Sequence, residues 1–237
     1  MRLFSPGRFD RWAFPLLIFA ALLLSGQGWL MAHPEHNPWA PLDLRDPPGW
    51  ATERKLSALR DDAVDCRAVL ARSGVAFTAL PPAGEGTCAR PDRTVLTDYP
   101  LSPRQPPTTC AVAAALELWL RTGVQPAARE LLGTDVERIE HYGAFSCRRV
   151  YGRGEGAWSE HSTGNAIDIA AFVLADGRRI TVAGDWAGAE PSAEFLHRVR
   201  DAGCQVFGTV LSPDYNAAHR DHLHLDQQAR SLGGVCR

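Results

Sequence analysis

The longest hydrophobic run in the chain comes first. From Trp12 to Ala32 the sequence WAFPLLIFAALLLSGQGWLMA carries no charge. At ~1.5 Å of rise per helical residue it spans about 30 Å, the thickness of a bilayer's hydrocarbon core. Arg2, Arg8 and Arg11 precede it, an arrangement that keeps residues 1–11 cytoplasmic and sends the remainder across. Two readings stay open for 12–32. It is an uncleaved transmembrane signal anchor, or it is a signal peptide, since Phe14 to Leu24 has the length of a signal core and Gly26-Gln27-Gly28 supplies small residues for cleavage. Either way the bulk of the chain is expected outside the cytoplasm, membrane-anchored or secreted.

Residues 33–50, HPEHNPWAPLDLRDPPGW, hold five prolines and predict an extended linker. The rest, 51–237, has the length of one domain. Leu56, Leu59, Ala63, Cys66 and Leu70 recur at helical spacing, with Gly74 as terminator. CAVAAALELWLRTG predicts a helix over 110–123 stopped by Gly123, and QPAARELLG a short one opened by Pro126 and closed by Gly133. A further helix is expected over 192–202, before Gly203. Strands are expected over 136–142, 166–172, 206–210 and 222–225, and irregular chain over 90–107. Helices gather early and strands late, which predicts an α+β fold with a small, mostly antiparallel sheet flanked by helices.

Lys and Arg number 25 against 27 Asp and Glu, a net charge of −2 with no basic cluster, so nucleic acid is not an expected partner. The six cysteines, Cys66, Cys88, Cys110, Cys147, Cys204 and Cys236, contain no C-x-x-C pair. They predict three disulfides in an oxidising compartment. Pairing in chain order (66–88, 110–147, 204–236) is the simplest expectation among the 15 connectivities open to six cysteines.

The candidate chemistry lies in two stretches, SEHSTGNAIDIAAF at 159–172 and HRDHLHLD at 219–226. Side chains alternate along a strand. Ile167 and Ile169 therefore bury while Asp168 faces the other way, and Leu223 and Leu225 bury while His222 and His224 emerge together. If the two strands pair, one carboxylate and two imidazoles share a surface, and the turn at Gly164 can bring His161 over Asp168. Three such ligands with a fourth position open are the architecture of catalytic zinc, which activates water and polarises carbonyls. Asp221 and His222 are the candidate proton-handling groups.

These stretches also resemble the motif pair of zinc peptidases acting on bacterial cell-wall peptides: the D-Ala-D-Ala carboxypeptidases, the murein endopeptidase and the lysostaphin-like enzymes. YGAFSCRRVYG, SEHSTGNAIDIAAF and YNAAHRDHLHLD more closely resemble the bacterial extensin-like C-terminal domain, from about Lys55 to Arg237. The resemblance implies zinc on His161, Asp168 and His224 and a small antiparallel sheet flanked by helices. The carboxypeptidases carry a Glu where this chain has Asp221. The endopeptidase branch has His at the positions of His222 and His219, which favours His222 as the catalytic group and puts His219 behind it. An arginine upstream of the first motif engages substrate carboxylate in the related enzymes, a role that falls to Arg148. Trp158 and Tyr215 flank the motifs as candidate cleft walls, and His141 and His197 are expected to be ordinary histidines. The expected function is zinc-dependent hydrolysis of amide bonds in peptidoglycan peptides. The alternative is a non-catalytic, membrane-tethered wall-binding or scaffold domain.

Overall fold

The computed structural model describes residues 10–229 and 234–237, so most of the basic front end expected over 1–11, with Arg2 and Arg8, lies outside the described residues. The apolar run forms one helix, α1 (Asp10–Ala32), exposed from Trp12 to Trp29 and long and apolar enough to serve as a membrane anchor or a signal sequence. Residues 33–50 do not extend. They fold in turns, and Leu42 and Leu44 enter the core, where the Leu44 N–H donates to Ser73 Oγ.

The expected helix through Leu56 and Leu70 is two helices, α2 (Thr52–Ala58) and α3 (Ala63–Arg72). The break comes from Asp62, whose carboxylate accepts the Val64 and Asp65 N–H groups as an N-cap and starts a new helix. A hairpin of β1 (Phe77–Ala79) and β2 (Thr94–Leu96) follows, then β3 (Leu101–Ser102). Both β2 and β3 lie in the stretch expected to be irregular. Next comes α4 (Cys110–Trp119), buried on nearly every side: Ala111 to Leu116, Leu118 and Trp119 are all in the core. It is the central helix of the domain, hydrophobic all round because it is packed all round.

Gly123 does not stop that helix. The chain passes through a π-type turn (Leu120–Val124) into α5 (Gln125–Leu132). Pro126 has no N–H for the carbonyl four residues before it, and the Gln125 N–H reaches back five residues to the Leu120 carbonyl. Gly133, at φ 72°, does end α5. Gly123 serves packing instead, since a Cβ there would lie 2.5 Å from the Cβ of Ala202, which sits on a later helix, Pro191–Gly203.

The remaining elements are β4 (Val136–Gly143), β5 (Ala166–Leu174), β6 (Arg179–Thr181), α6 (Val182–Asp185), α7 (Pro191–Gly203), β7 (Thr209–Leu211), β8 (Leu223–Asp226) and β9 (Val235–Cys236). The strand expected over 206–210 is shorter and shifted, because residues 204–206 turn after α7. Among the described residues seven strands form one sheet in the order β3-β4-β5-β8-β7-β9, with β6 also on β5. It is mixed: β3 runs parallel to β4 and β9 to β7, and the other pairings are antiparallel. Register shifts along β4 account for its poor alternation in the sequence.

Three disulfides staple this α+β fold, but only Cys204–Cys236 follows chain order. The others are Cys66–Cys110 and Cys88–Cys147. Packing overrides sequence proximity. Cys66 on α3 faces Cys110 at the start of α4 across the core, with Cα atoms 6.0 Å apart.

The contact at Gly123 makes a prediction of opposite sign to helix propensity. Gly→Ala in a helix ordinarily stabilises by about 1 kcal/mol. Gly123→Ala is expected to destabilise by about 1–3 kcal/mol through overpacking against α7, and Ala202→Gly in the same chain to recover most of the loss. Urea unfolding of the two variants measures both.

Candidate metal centre

The site forms where β5 and β8 pair. Asp168 stands directly opposite His224, flanked by the pairs Ile167–Leu225 and Ile169–Leu223. Those four apolar side chains are fully buried on the far face of the sheet, so Asp168 and His224 project together from the near face. His161 arrives from a 3₁₀ turn, Glu160–Thr163. The Ser159 hydroxyl accepts its N–H, and Gly164, at φ 75°, ends the turn. The Thr109 N–H donates to the Gly164 carbonyl, tying this turn to the start of α4.

The three side chains meet. His161 Nε2 lies 3.1 Å from Asp168 Oδ1 and 3.1 Å from His224 Nδ1, and His224 Nδ1 lies 2.9 Å from Asp168 Oδ1. His161 and His224 are buried. The outer nitrogen of each ring is occupied. His161 Nδ1 donates to the Ala144 carbonyl at 3.1 Å, and His224 Nε2 to Asp226 Oδ2 at 3.0 Å. In the neutral form that binds a metal, these partners hold the proton on the outer nitrogen of each ring and aim the other nitrogen at the shared centre, as outer partners of metal-binding histidines do; in the charged form both nitrogens donate, the inner ones to Asp168. The group can therefore hold a metal ion.

The electrostatics follow from this crowding. Burial alone raises the Asp168 pKa, but the hydrogen bonds from His161 and His224 outweigh it and hold the carboxyl far below the usual carboxylate range. Burial lowers the His224 pKa, yet its bonds to Asp168 and Asp226 carry it up to about 9. His219 goes down to about 4, first through burial and then through His222 and His224 beside it.

Around the three lies a cleft of about 240 Å³. His222 lines it with its Nδ1 2.9 Å from Asp221 Oδ1 and its Nε2 3.6 Å from Asp168 Oδ1. Asp221 thus stands behind His222, away from the cleft. Arg148 lines the cleft with no ion-pair partner among the described residues. Its segment is held by Cys88–Cys147 and by the Ser159 N–H on its carbonyl. Trp158 and Tyr215 both line the cleft, and so does His219, bonded through Nδ1 to Asn216 Oδ1 at 2.8 Å. His141 and His197 stand apart from it. His141 Nε2 meets the Arg104 carbonyl, and His197 packs at a tilt against Trp186.

Sequence reasoning passed over Asp226, Glu160, Tyr151 and Asn216. Asp226 had a signal, because it continues the alternation of His222 and His224 along one face. Glu160, in the cleft, accepts from Asn165 Nδ2 and so braces the His161 turn. Tyr151 reaches across to Asn216 Nδ2 through its hydroxyl at 3.0 Å, and its φ of 57° is rare for a side chain of its size. Nothing in the local sequence marks that pairing, which joins residues 65 positions apart.

No curated protein and no solved structure matches the chain. One family profile does, that of the extensin-like protein C-terminus, over residues 64–237, a span that takes in the whole sheet and every side chain of the cleft. On that match, the chain belongs to the extensin-like C-terminal family.

Proposed function

We propose that this protein is a zinc-dependent hydrolase of amide bonds in peptidoglycan peptides, acting as a carboxypeptidase or endopeptidase on the outer side of a membrane in which residues 12–32 anchor it. The observation that carries this reading is the convergence of His161, Asp168 and His224, with donor atoms 2.9–3.1 Å apart. This donor set suits the ion. Ligands at ~2.0–2.1 Å from a tetrahedral zinc stand ~3.3 Å from one another, close to the spacing already present. Three protein ligands leave a fourth position, the pattern of catalytic zinc rather than of closed structural sites. When bound there, zinc supplies a Lewis acid for an amide carbonyl and a water acidified to a pKa of about 7.

The protein's own groups divide the remaining work. Asp221 holds the His222 Nδ1 proton, which leaves Nε2 with its lone pair beside Asp168. That nitrogen accepts the proton of the attacking water and returns it to the departing amine. Asp221 acts through His222 by fixing its tautomer. Arg148, without an ion-pair partner in the cleft among the described residues, grips a carboxylate of the peptide bidentately. Trp158 and Tyr215 wall the peptide in. The three disulfides accord with an exported, oxidising location.

The detergent-solubilised chain incubated with purified sacculi is expected to release muropeptides with a hydrolysed amide bond, seen by mass spectrometry and abolished by chelator. Binding to sacculi without products in either arm favours the wall-binding alternative, and products that persist after full chelation reject the metal. Metal analysis of His161→Ala, Asp168→Ala and His224→Ala is expected to show zinc falling from about one ion per chain to near zero. His222→Ala is expected to keep its zinc and lose ~10²–10⁴-fold in kcat. Arg148→Ala is expected to raise KM on peptides with a free terminal carboxylate and to leave their amidated counterparts unaffected, which steady-state kinetics on the two substrates resolves.

A further inference from the structure

The apolar helix ends in a folded neck rather than a loose linker. Gly49 approaches Glu35 so closely that a Cβ there would lie 2.5 Å from the Glu35 carbonyl oxygen. The Ala51 N–H donates to that carbonyl at 3.1 Å, and the Trp50 N–H donates to His36 Nδ1 at 3.1 Å. On the helix side, Trp29 stacks on His33 and His36 at 4.5 and 5.2 Å between ring centroids, with Trp50 at 5.7 Å. On the domain side, Lys55 Nζ donates to the Pro34 carbonyl and Leu44 is buried in the core. The neck is pinned at both ends.

Its outer face is apolar. Trp39 and Trp50 are 83% and 80% exposed, more than any other large apolar side chain described. With Leu22, Leu23, Leu30 and Met31 they line a groove of about 810 Å³ along the side of α1. Leu22 and Met31 lie ~13 Å apart along the helix axis, so the tryptophans stand beside the last turns of the apolar helix rather than beyond its end. In a bilayer crossed by α1, that level is the boundary where acyl chains meet headgroups. Tryptophan is enriched there because its ring is apolar and its N–H still finds a partner. A water-filled location leaves the same surface exposed with nothing to cover it.

We propose that Trp39 and Trp50 seat the neck in the headgroup–acyl boundary of a lipid bilayer. The groove beside α1 takes lipid chains, and the domain is held against the membrane surface instead of being tethered at a distance. This rests on the reading that residues 12–32 are retained as an anchor, and the two separate experimentally. The full chain carries 7 tryptophans. It is reconstituted in phosphatidylcholine–phosphatidylglycerol vesicles with and without chain-brominated lipid, which quenches tryptophan on contact. The quenched intensity is expected to fall by about half in the Trp39→Phe, Trp50→Phe double variant, leaving Trp12 and Trp29 as the remaining rings at lipid depth. Equal quenched intensity in parent and double variant overturns the seat, as does quenching of the two rings by aqueous iodide. Intact mass of the chain recovered from cells tests retention. A chain lacking residues 12–32 overturns the anchor and the seat together, whereas an intact chain whose Trp39 and Trp50 escape bromine overturns the seat alone.

Discussion

The antiparallel register of β5 against β8 is the constraint on which the cleft depends. It sets Asp168 opposite His224 because Ile167 meets Leu225 and Ile169 meets Leu223 on the buried face. A slip of one residue would turn His224 into the core and a leucine into the cleft. All four apolar side chains are fully buried, and each is worth roughly 1.5–3 kcal/mol of burial. The buried polar donors add little net stability beside this, because the cost of taking their charges out of water offsets their mutual attraction. Core packing therefore decides where the polar donors stand, and the donors themselves contribute little to holding the register.

The other parts of the site are fixed by more local means. His161 depends on a short capped turn whose glycine adopts a positive φ and whose carbonyl is tied to the start of the central helix. Its ring is aimed by the Ala144 carbonyl, three residues before Cys147. The Cys88–Cys147 bridge thus braces both the acceptor that orients His161 and the arginine that follows it. His224 is aimed by Asp226 two residues along the same strand face, and His222 by its neighbour Asp221. The cleft is assembled from one long-range pairing and several short braces.

Period-two alternation was enough to read that Asp168 and His224 leave their strands opposite the buried neighbours, because that pattern is a direct consequence of strand geometry; that the two strands pair, with these residues face to face, was only a condition in the sequence and is supplied by the fold. The long elements were legible for similar reasons: an alanine-rich run predicted a helix over 110–123 that forms over 110–119, helical spacing predicted 192–202 where 191–203 forms, and alternation predicted a strand over 166–172 that runs to 174. Gly123 was misread because a glycine that ends a helix and one that admits a neighbouring helix look alike in a string. The break at Asp62 was visible only as a capping residue inside an otherwise periodic stretch. Two of the three disulfides were beyond reach, since the facing of α3 and α4 belongs to packing rather than spacing. The proline-rich stretch before the domain looked extended because prolines disfavour regular structure, yet prolines also suit turns, and Leu42 and Leu44 drew it into the core.

The packing beneath His161, Asp168 and His224 bears on how the site can change. The strands that carry Asp168 and His224 are held by four fully buried aliphatic side chains on the opposite face, and none of the three polar donors takes part in that packing. Scaffold and chemistry are therefore separable here: a donor can be exchanged for another polar side chain while the sheet that presents it keeps its footing.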